Sequence, residues 1–217
     1  MEKFTVLNGV AAPMLMENIN TDLIAPSLMP GRSPEDAAKM SLQDKMFANL
    51  RFHADGTPKP DFVLDQPRYR DARIILAGAN FGCGSSRETA VWSLIESGIR
   101  CVIAPSFGDI FNDNSFQNGL LPLRLEMTLI EQIAAALQQS NAGEMTVDLV
   151  NRKLLVAGLE AIPFELPGDR RELLLEGLDQ LSFILQSVKE IDAFEANDVS
   201  SRPWVYGERG WPGQARR

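Results

Sequence analysis

The sequence predicts an α/β fold built on parallel strands, and three observations predict it. Short apolar strands and helical segments alternate from residue 72 to residue 125 in a βαβαβ order, which calls for parallel strands with covering helices. Gly98 and Gly119 punctuate that stretch where its two helices must stop. The chain of 217 residues, 45% hydrophobic and 23% charged, is long enough to bury one sizeable core.

Taken in order, residues 4–26 alternate apolar runs with polar turns, ending in Asn20-Thr21-Asp22-Leu23-Ile24-Ala25-Pro26, and read as strands. From Ser27 to Pro67 the composition shifts to Pro, Gly, Asp and Lys around a weakly helical Glu35–Leu50. So long a connection is expected to be a mobile, lid-like loop, set at about 27–67. Ala72–Ala77 is a buried strand, Gly82-Cys83-Gly84 a turn, and Arg87–Ser97 a helix. Arg100–Pro105 is the next strand, Phe107–Asn118 the next helix, and Leu120–Leu125 a third apolar run. In Thr128–Gln139 the residues Ile130, Ile133, Ala134 and Leu137 recur at helical spacing behind a Thr128-x-x-Glu131 capping pattern. Val147–Val150 and Leu154–Ala157 flank Asn151-Arg152 as a hairpin, and Ser187-x-x-Glu190 opens a last helix through Phe194. Residues 1–197 are expected to form one domain and 198–217 a C-terminal tail.

Composition excludes several functions. Net charge is −8 and the basic residues form no run, so a nucleic-acid footprint is absent. No stretch approaches the roughly 18 apolar residues of a membrane span, and the N-terminus lacks a charged-then-apolar export signal; a cytoplasmic location is expected. The two cysteines, Cys83 and Cys101, are too few for a cluster or a zinc site held by this chain, and a disulfide between them does not suit a cytosolic protein. Cys101 lies in an apolar strand and reads as core. The one histidine, His53, stands in a turn-like stretch and reads as an exposed loop residue rather than a general base.

Chemistry concentrates in Asn80-Phe81-Gly82-Cys83-Gly84-Ser85-Ser86-Arg87-Glu88. Two glycines permit a tight turn and close backbone approach to a ligand, and two hydroxyls then stand at a helix N-terminus, which favours anions. Arg87 adds a planar fork suited to a carboxylate. The plain structural alternative is that Ser85 caps the helix through Ser85-x-x-Glu88. A dinucleotide fingerprint fits poorly, because Arg87 occupies the third glycine position. The spacing is not Gly-x-Ser-x-Gly, and a hydrolase triad has no suitable histidine. Cys83 beside the same turn is a nucleophile candidate without a histidine partner.

These residues, with Val102–Phe111, Asn118-Gly119-Leu120-Leu121-Pro122, Asn20-Thr21-Asp22, Pro60–Leu64 and Gly177-Leu178-Asp179 through Leu185-Gln186, resemble the small-subunit family of 3-isopropylmalate dehydratase over about residues 1–197. The resemblance implies a swivelling β/β/α domain similar to the mobile fourth domain of aconitase. It implies a hydro-lyase acting on a 2-hydroxy diacid, with a [4Fe–4S] cluster held by a large partner subunit and no cofactor or metal in this chain. By the same resemblance Ser85 is the catalytic base, Ser86 and Arg87 bind a substrate carboxylate, and Thr21 and Asp22 line or orient the site. Arg32 is a further carboxylate candidate. Two departures stand out: Glu88-Thr89-Ala90 where the family usually has Glu-His-Ala, and Ser27-Leu28-Met29-Pro30-Gly31-Arg32 where relatives carry an aromatic–Leu pair. They leave citramalate, 2-methylmalate or maleate open beside isopropylmalate. From other classes, a stand-alone anion- or nucleotide-binding module and a non-catalytic assembly protein remain as alternatives.

Overall fold

The computed structural model describes residues 1–140 and 143–206. Seven strands form one sheet in the order β4-β3-β2-β1-β5-β6-β7. They are β1 Val6–Met14, β2 Ala72–Ala77, β3 Cys101–Ala104, β4 Leu121–Arg124, β5 Glu144–Asp148, β6 Lys153–Val156 and β7 Ile162–Pro163. β1 to β4 pair in parallel, and β5 to β7 continue the sheet antiparallel from the other edge of β1. The expected βαβαβ unit is therefore present as β2, α5 (Glu88–Glu96), β3, α6 (Asp109–Asn118) and β4. α5 and α6 follow the four one- to two-turn helices α1 Thr21–Ile24, α2 Pro34–Lys39, α3 Leu42–Lys45 and α4 Ala48–Arg51.

The period of two along the strands sorts the interior into two cores. Ala12, Met14, Ile75, Ala77, Val102 and Ala104 join Ala90, Val91 and Leu94 of α5. Leu7, Ala11, Ile74, Leu76, Cys101 and Ile103 join Ile130, Ile133, Ala134 and Leu137 of α7 (Met127–Gln139). Alternation across each strand sends neighbours to opposite faces, which is why central strands read as continuous apolar runs. Each fully buried Ile or Leu contributes roughly 1.5–3 kcal/mol through removal from water, so both faces stabilise the sheet that carries the site. α8 (Gly168–Glu176) adds the fully buried Leu174 to the second core.

Several expectations are corrected. Thr21–Ile24 is one turn of helix rather than strand, because the Asn20 side chain accepts from Leu23 N at 2.8 Å and diverts the backbone. The Thr128 capping pattern does not form; α7 starts one residue earlier, after Glu126, without a side-chain cap. The hairpin is displaced, with β5 starting at Glu144 rather than Val147. Residues 27–67 include the buried Ala37, Phe47, Ala48, Phe62 and Leu64, a finding that leaves the lid expectation as it stood.

The chain divides into two compact units, the first Met1–Leu178 and the second beginning at Asp179. Within the second, Asp179 caps α9 (Gln180–Ile184), and α10 (Val188–Ser201) is followed by α11 (Pro203–Tyr206). Ser187 precedes α10 without capping it, and the tail boundary expected after residue 197 falls inside that helix. The Asp198 carboxylate accepts from Arg202 Nε and the Tyr206 hydroxyl; these bonds, that of Arg202 first, hold its carboxyl below the usual range. The rest of the expected tail, 207–217, lies outside the described residues.

Candidate active site

The site forms where the parallel strands end. After β1, β2 and β3 the chain does not disperse: Asn20 bridges Cys83, and Phe81 bridges Phe107, both in parallel, so three loops run side by side beyond the sheet. Gly82 N donates to Ile19 O at 2.7 Å, Thr21 N to Cys83 O at 2.9 Å, and Gly108 N to Phe81 O at 2.9 Å. This is the carboxyl end of an open parallel sheet, where ligand sites in such folds collect. Side chains reinforce the arrangement. Asn80 N donates to Ser106 Oγ at 2.9 Å, and Asn80 Nδ2 donates to Asn18 Oδ1 at 2.8 Å.

Under the loop, Phe81 meets Phe107 and Phe111 edge-on at centroid distances of 6.3 and 5.4 Å, while Phe107 and Phe111 stack at 6.4 Å. Gly82 is required here twice over. Its φ is +72°, and a Cβ at this position would lie 2.1 Å from the Phe111 ring.

Above that aromatic floor, Gly84, Ser85 and Ser86 are exposed. Ser85 does not cap α5, as its sequence pattern had suggested. The helix begins at Glu88, with Arg87 as an uncapped N-cap residue, because Thr21 Oγ1 donates to Ser85 O at 2.9 Å and holds the backbone out of the helix. The Ser85 hydroxyl is thus left unbonded among the described residues. The backbone N–H groups of Gly84, Ser85, Ser86 and Arg87 likewise donate to no acceptor among the described residues. Four consecutive free donors beside a helix start favour an anion.

Arg87 Nη1 lies 2.6 Å from Asp22 Oδ1 and donates to Ser27 Oγ at 3.2 Å. Its side chain is 32% exposed and that of Asp22 55%, so the pair faces water. Nε and Nη2 donate to no described acceptor. The structure therefore brings together five of the six sequence-predicted residues: Thr21 through Ser85, Asp22 through Arg87, and Ser86 between them. Arg32 stands apart as an exposed turn residue without a side-chain partner among the described residues, on a turn whose Gly31 packs against Asp55 and Gly56.

Sequence reasoning missed Ser27, Asn18 and the bracing of the helix start. Trp92 Nε1 donates to Asn118 Oδ1 at 3.0 Å, and Asn118 Nδ2 donates to Glu88 Oε1 at 2.8 Å, tying the residue after Arg87 to the end of α6. Asn118 stood next to a helix-stopping glycine, which was the available signal. His53 is exposed, as expected, and Cys101 is fully buried. A cavity of about 520 Å³ lies between Pro13–Met16 and residues of the 50–63 segment, and none of the six candidates lines it.

Residues 1–128 match the family model of the aconitase C-terminal domain. The chain is 46% identical over 207 residues to the 3-isopropylmalate dehydratase small subunit of Rhodospirillum centenum, covering 95% of this chain and 100% of that one. The corresponding subunit of Paracoccus denitrificans is 43% identical over 205 residues, with 94% and 100% covered. The crystal structure of 3-isopropylmalate dehydratase from Methanocaldococcus jannaschii shares the fold at a TM-score of 0.59 and 22% identity, over 88% of this chain and 99% of that one. Near-full-length identity of this order, on the swivelling α/β fold that the resemblance implied, means that the chain belongs to the family of 3-isopropylmalate dehydratase small subunits.

Proposed function

We propose that this chain is the small subunit of a cytoplasmic hydro-lyase that interconverts 2-isopropylmalate and 3-isopropylmalate in leucine biosynthesis, and that it works only with a large iron–sulfur subunit. The observation that carries the reading is the Gly84–Arg87 loop. It presents an unbonded Ser85 hydroxyl, four free N–H groups and the open edge of Arg87 together at the carboxyl end of the sheet.

The cluster does not fit this chain's own donors. Cys101 is fully buried, with burial pushing its thiol far above the usual range, and Cys83 is half-buried; no group of three or more His, Cys, Asp or Glu is placed to hold a metal among the described residues. The proposal assigns the [4Fe–4S] cluster to the large subunit on the family resemblance, where it supplies a Lewis acid for the hydroxyl that departs.

This chain's part is binding and proton transfer. Arg87 receives a substrate carboxylate on its Nε–Nη2 edge, two parallel donors that match two carboxylate oxygens. Ser86 and the free N–H groups hold the remaining oxygens. Ser85, as the alkoxide, takes the proton from the carbon next to that carboxylate and returns it in the reverse direction. A serine alkoxide is a costly species in water. The free N–H groups of its own loop and the positive end of α5 stabilise it in place, without reorganisation at the moment of transfer. Thr21 keeps the loop extended, and Asp22 steadies Arg87.

Anaerobic co-expression with the large subunit, followed by assays on both isopropylmalates, citramalate, 2-methylmalate and maleate, tests the proposal. The highest kcat/KM is expected with the isopropylmalates. A preference for citramalate, 2-methylmalate or maleate would reassign the substrate within the same chemistry, and inactivity on all of them in a cluster-replete complex would refute the reaction class.

A further inference from the structure

Arg87 Nη1 donates a hydrogen bond to Ser27 Oγ at 3.2 Å and forms an ion pair with Asp22 Oδ1 at 2.6 Å. Both partners sit on one short stretch of chain, α1 and the residues just after it, and Pro26 fixes the backbone immediately before Ser27. The opposite edge of the guanidinium, Nε and Nη2, has no acceptor among the described residues.

We propose that Ser27 is a positioning residue: together with Asp22 it sets the rotation of the Arg87 guanidinium so that the Nε–Nη2 edge faces the substrate carboxylate. The inference rests on the reading of Arg87 as a carboxylate clamp. A carboxylate facing a guanidinium prefers the two-pronged arrangement, and the pair is solvent-facing enough to rearrange. An unassisted Asp22 would therefore be drawn onto two nitrogens of Arg87 and would compete with the substrate for the fork. Ser27 engages Nη1 with a neutral acceptor beside the ion pair, so that Asp22 keeps its single contact at Nη1 and the fork stays free. A hydroxyl suits this task because it orients the cation without neutralising it.

The test is steady-state kinetics of Ser27→Ala and Ser27→Thr in the reconstituted complex, with Arg87→Lys as the reference variant. Ser27→Ala is expected to raise KM about tenfold, the size of one hydrogen bond to a charged group, while kcat changes less than about twofold. Ser27→Thr restores the hydroxyl and is expected to return KM to near its original value. Packing alone would not produce rescue by the larger threonine. An unchanged KM for Ser27→Ala, a loss confined to kcat, or a failure of threonine to rescue would each overturn the role of Ser27. If Arg87→Lys still lowers kcat/KM in that case, the clamp reading survives without Ser27; if Arg87→Lys is also silent, the clamp reading itself has failed.

Discussion

Replacing Gly82 by alanine places a methyl group where the structure has no room for one, and a second glycine allows the cost to be divided into its causes. At Gly82 the backbone is at φ +72°, and the new Cβ would lie 2.1 Å from Cγ and 2.5 Å from Cδ1 of Phe111. Gly98, which follows α5, has φ +89° but nothing within 4 Å of a Cβ. Gly98→Ala therefore carries only the penalty of left-handed backbone for an L residue, roughly 1–2 kcal/mol. Gly82→Ala carries that penalty plus overpacking against a ring wedged between Phe81 and Phe107, a further roughly 1–3 kcal/mol. The expected total is roughly 2–5 kcal/mol. Urea unfolding of the full chain, followed by far-UV circular dichroism, gives both values from midpoint shifts at constant slope. Equal destabilisation by the two substitutions, or a loss below about 1 kcal/mol at Gly82, would refute the packing of the loop onto its aromatic floor.

Two further predictions concern charge. Arg87→Lys keeps the cation but removes the planar fork, so kcat/KM in the complex is expected to fall at least about tenfold, or ~1.4 kcal/mol; stability should hardly change, because a solvent-facing pair contributes about 0–1 kcal/mol. Unchanged efficiency would remove Arg87 from the site. Asp148 accepts from the Asn151 side chain at 2.7 Å and its backbone N–H at 2.8 Å, and these bonds, the side-chain one first, hold its carboxyl below the usual range. A carboxyl depressed by folding contributes stability above its unfolded value, near pH 3.9, and loses it as pH falls through the folded value. Asp148→Asn should thus flatten the acid limb of the stability profile below about pH 4, and thermal melts across that range that superimpose on those of the unmodified chain would contradict the assignment.

The repeating unit β2-α5-β3-α6-β4 was legible because alternation, apolar runs and Gly98 and Gly119 all agree locally. The local patterns failed where a distant partner decides the conformation. Ser85-x-x-Glu88 is a sound capping pattern on its own, yet Thr21, 64 residues away, holds Ser85 O and delays the helix. Leu23-Ile24-Ala25 is the local exception: its apolar run looks like strand, but Asn20, three residues before Leu23, accepts from Leu23 N and turns it into helix. Of the candidate site, Ser85, Ser86 and Arg87 were visible as one contiguous motif. That Asp22 lines the site came from the family resemblance, but its pairing with Arg87 is a finding of the structure, and Ser27, 60 residues from Arg87, had no sequence signal beyond its place after Pro26. Arg32 shows the converse: a charge of the right kind ten residues after Asp22 in sequence, on a turn that packs against Asp55 and Gly56 instead.

The central claim is that Ser85 moves the proton, and Ser85→Ala in the reconstituted complex tests it most directly. Because the hydroxyl caps nothing and has no partner among the described residues, the substitution should leave the melting temperature, the assembly with the large subunit and the cluster absorbance of the complex unchanged. Turnover should nonetheless fall by roughly 10²–10⁴-fold, the range of a lost general base. Near-normal kcat in that intact complex would contradict the account and move the proton to another residue.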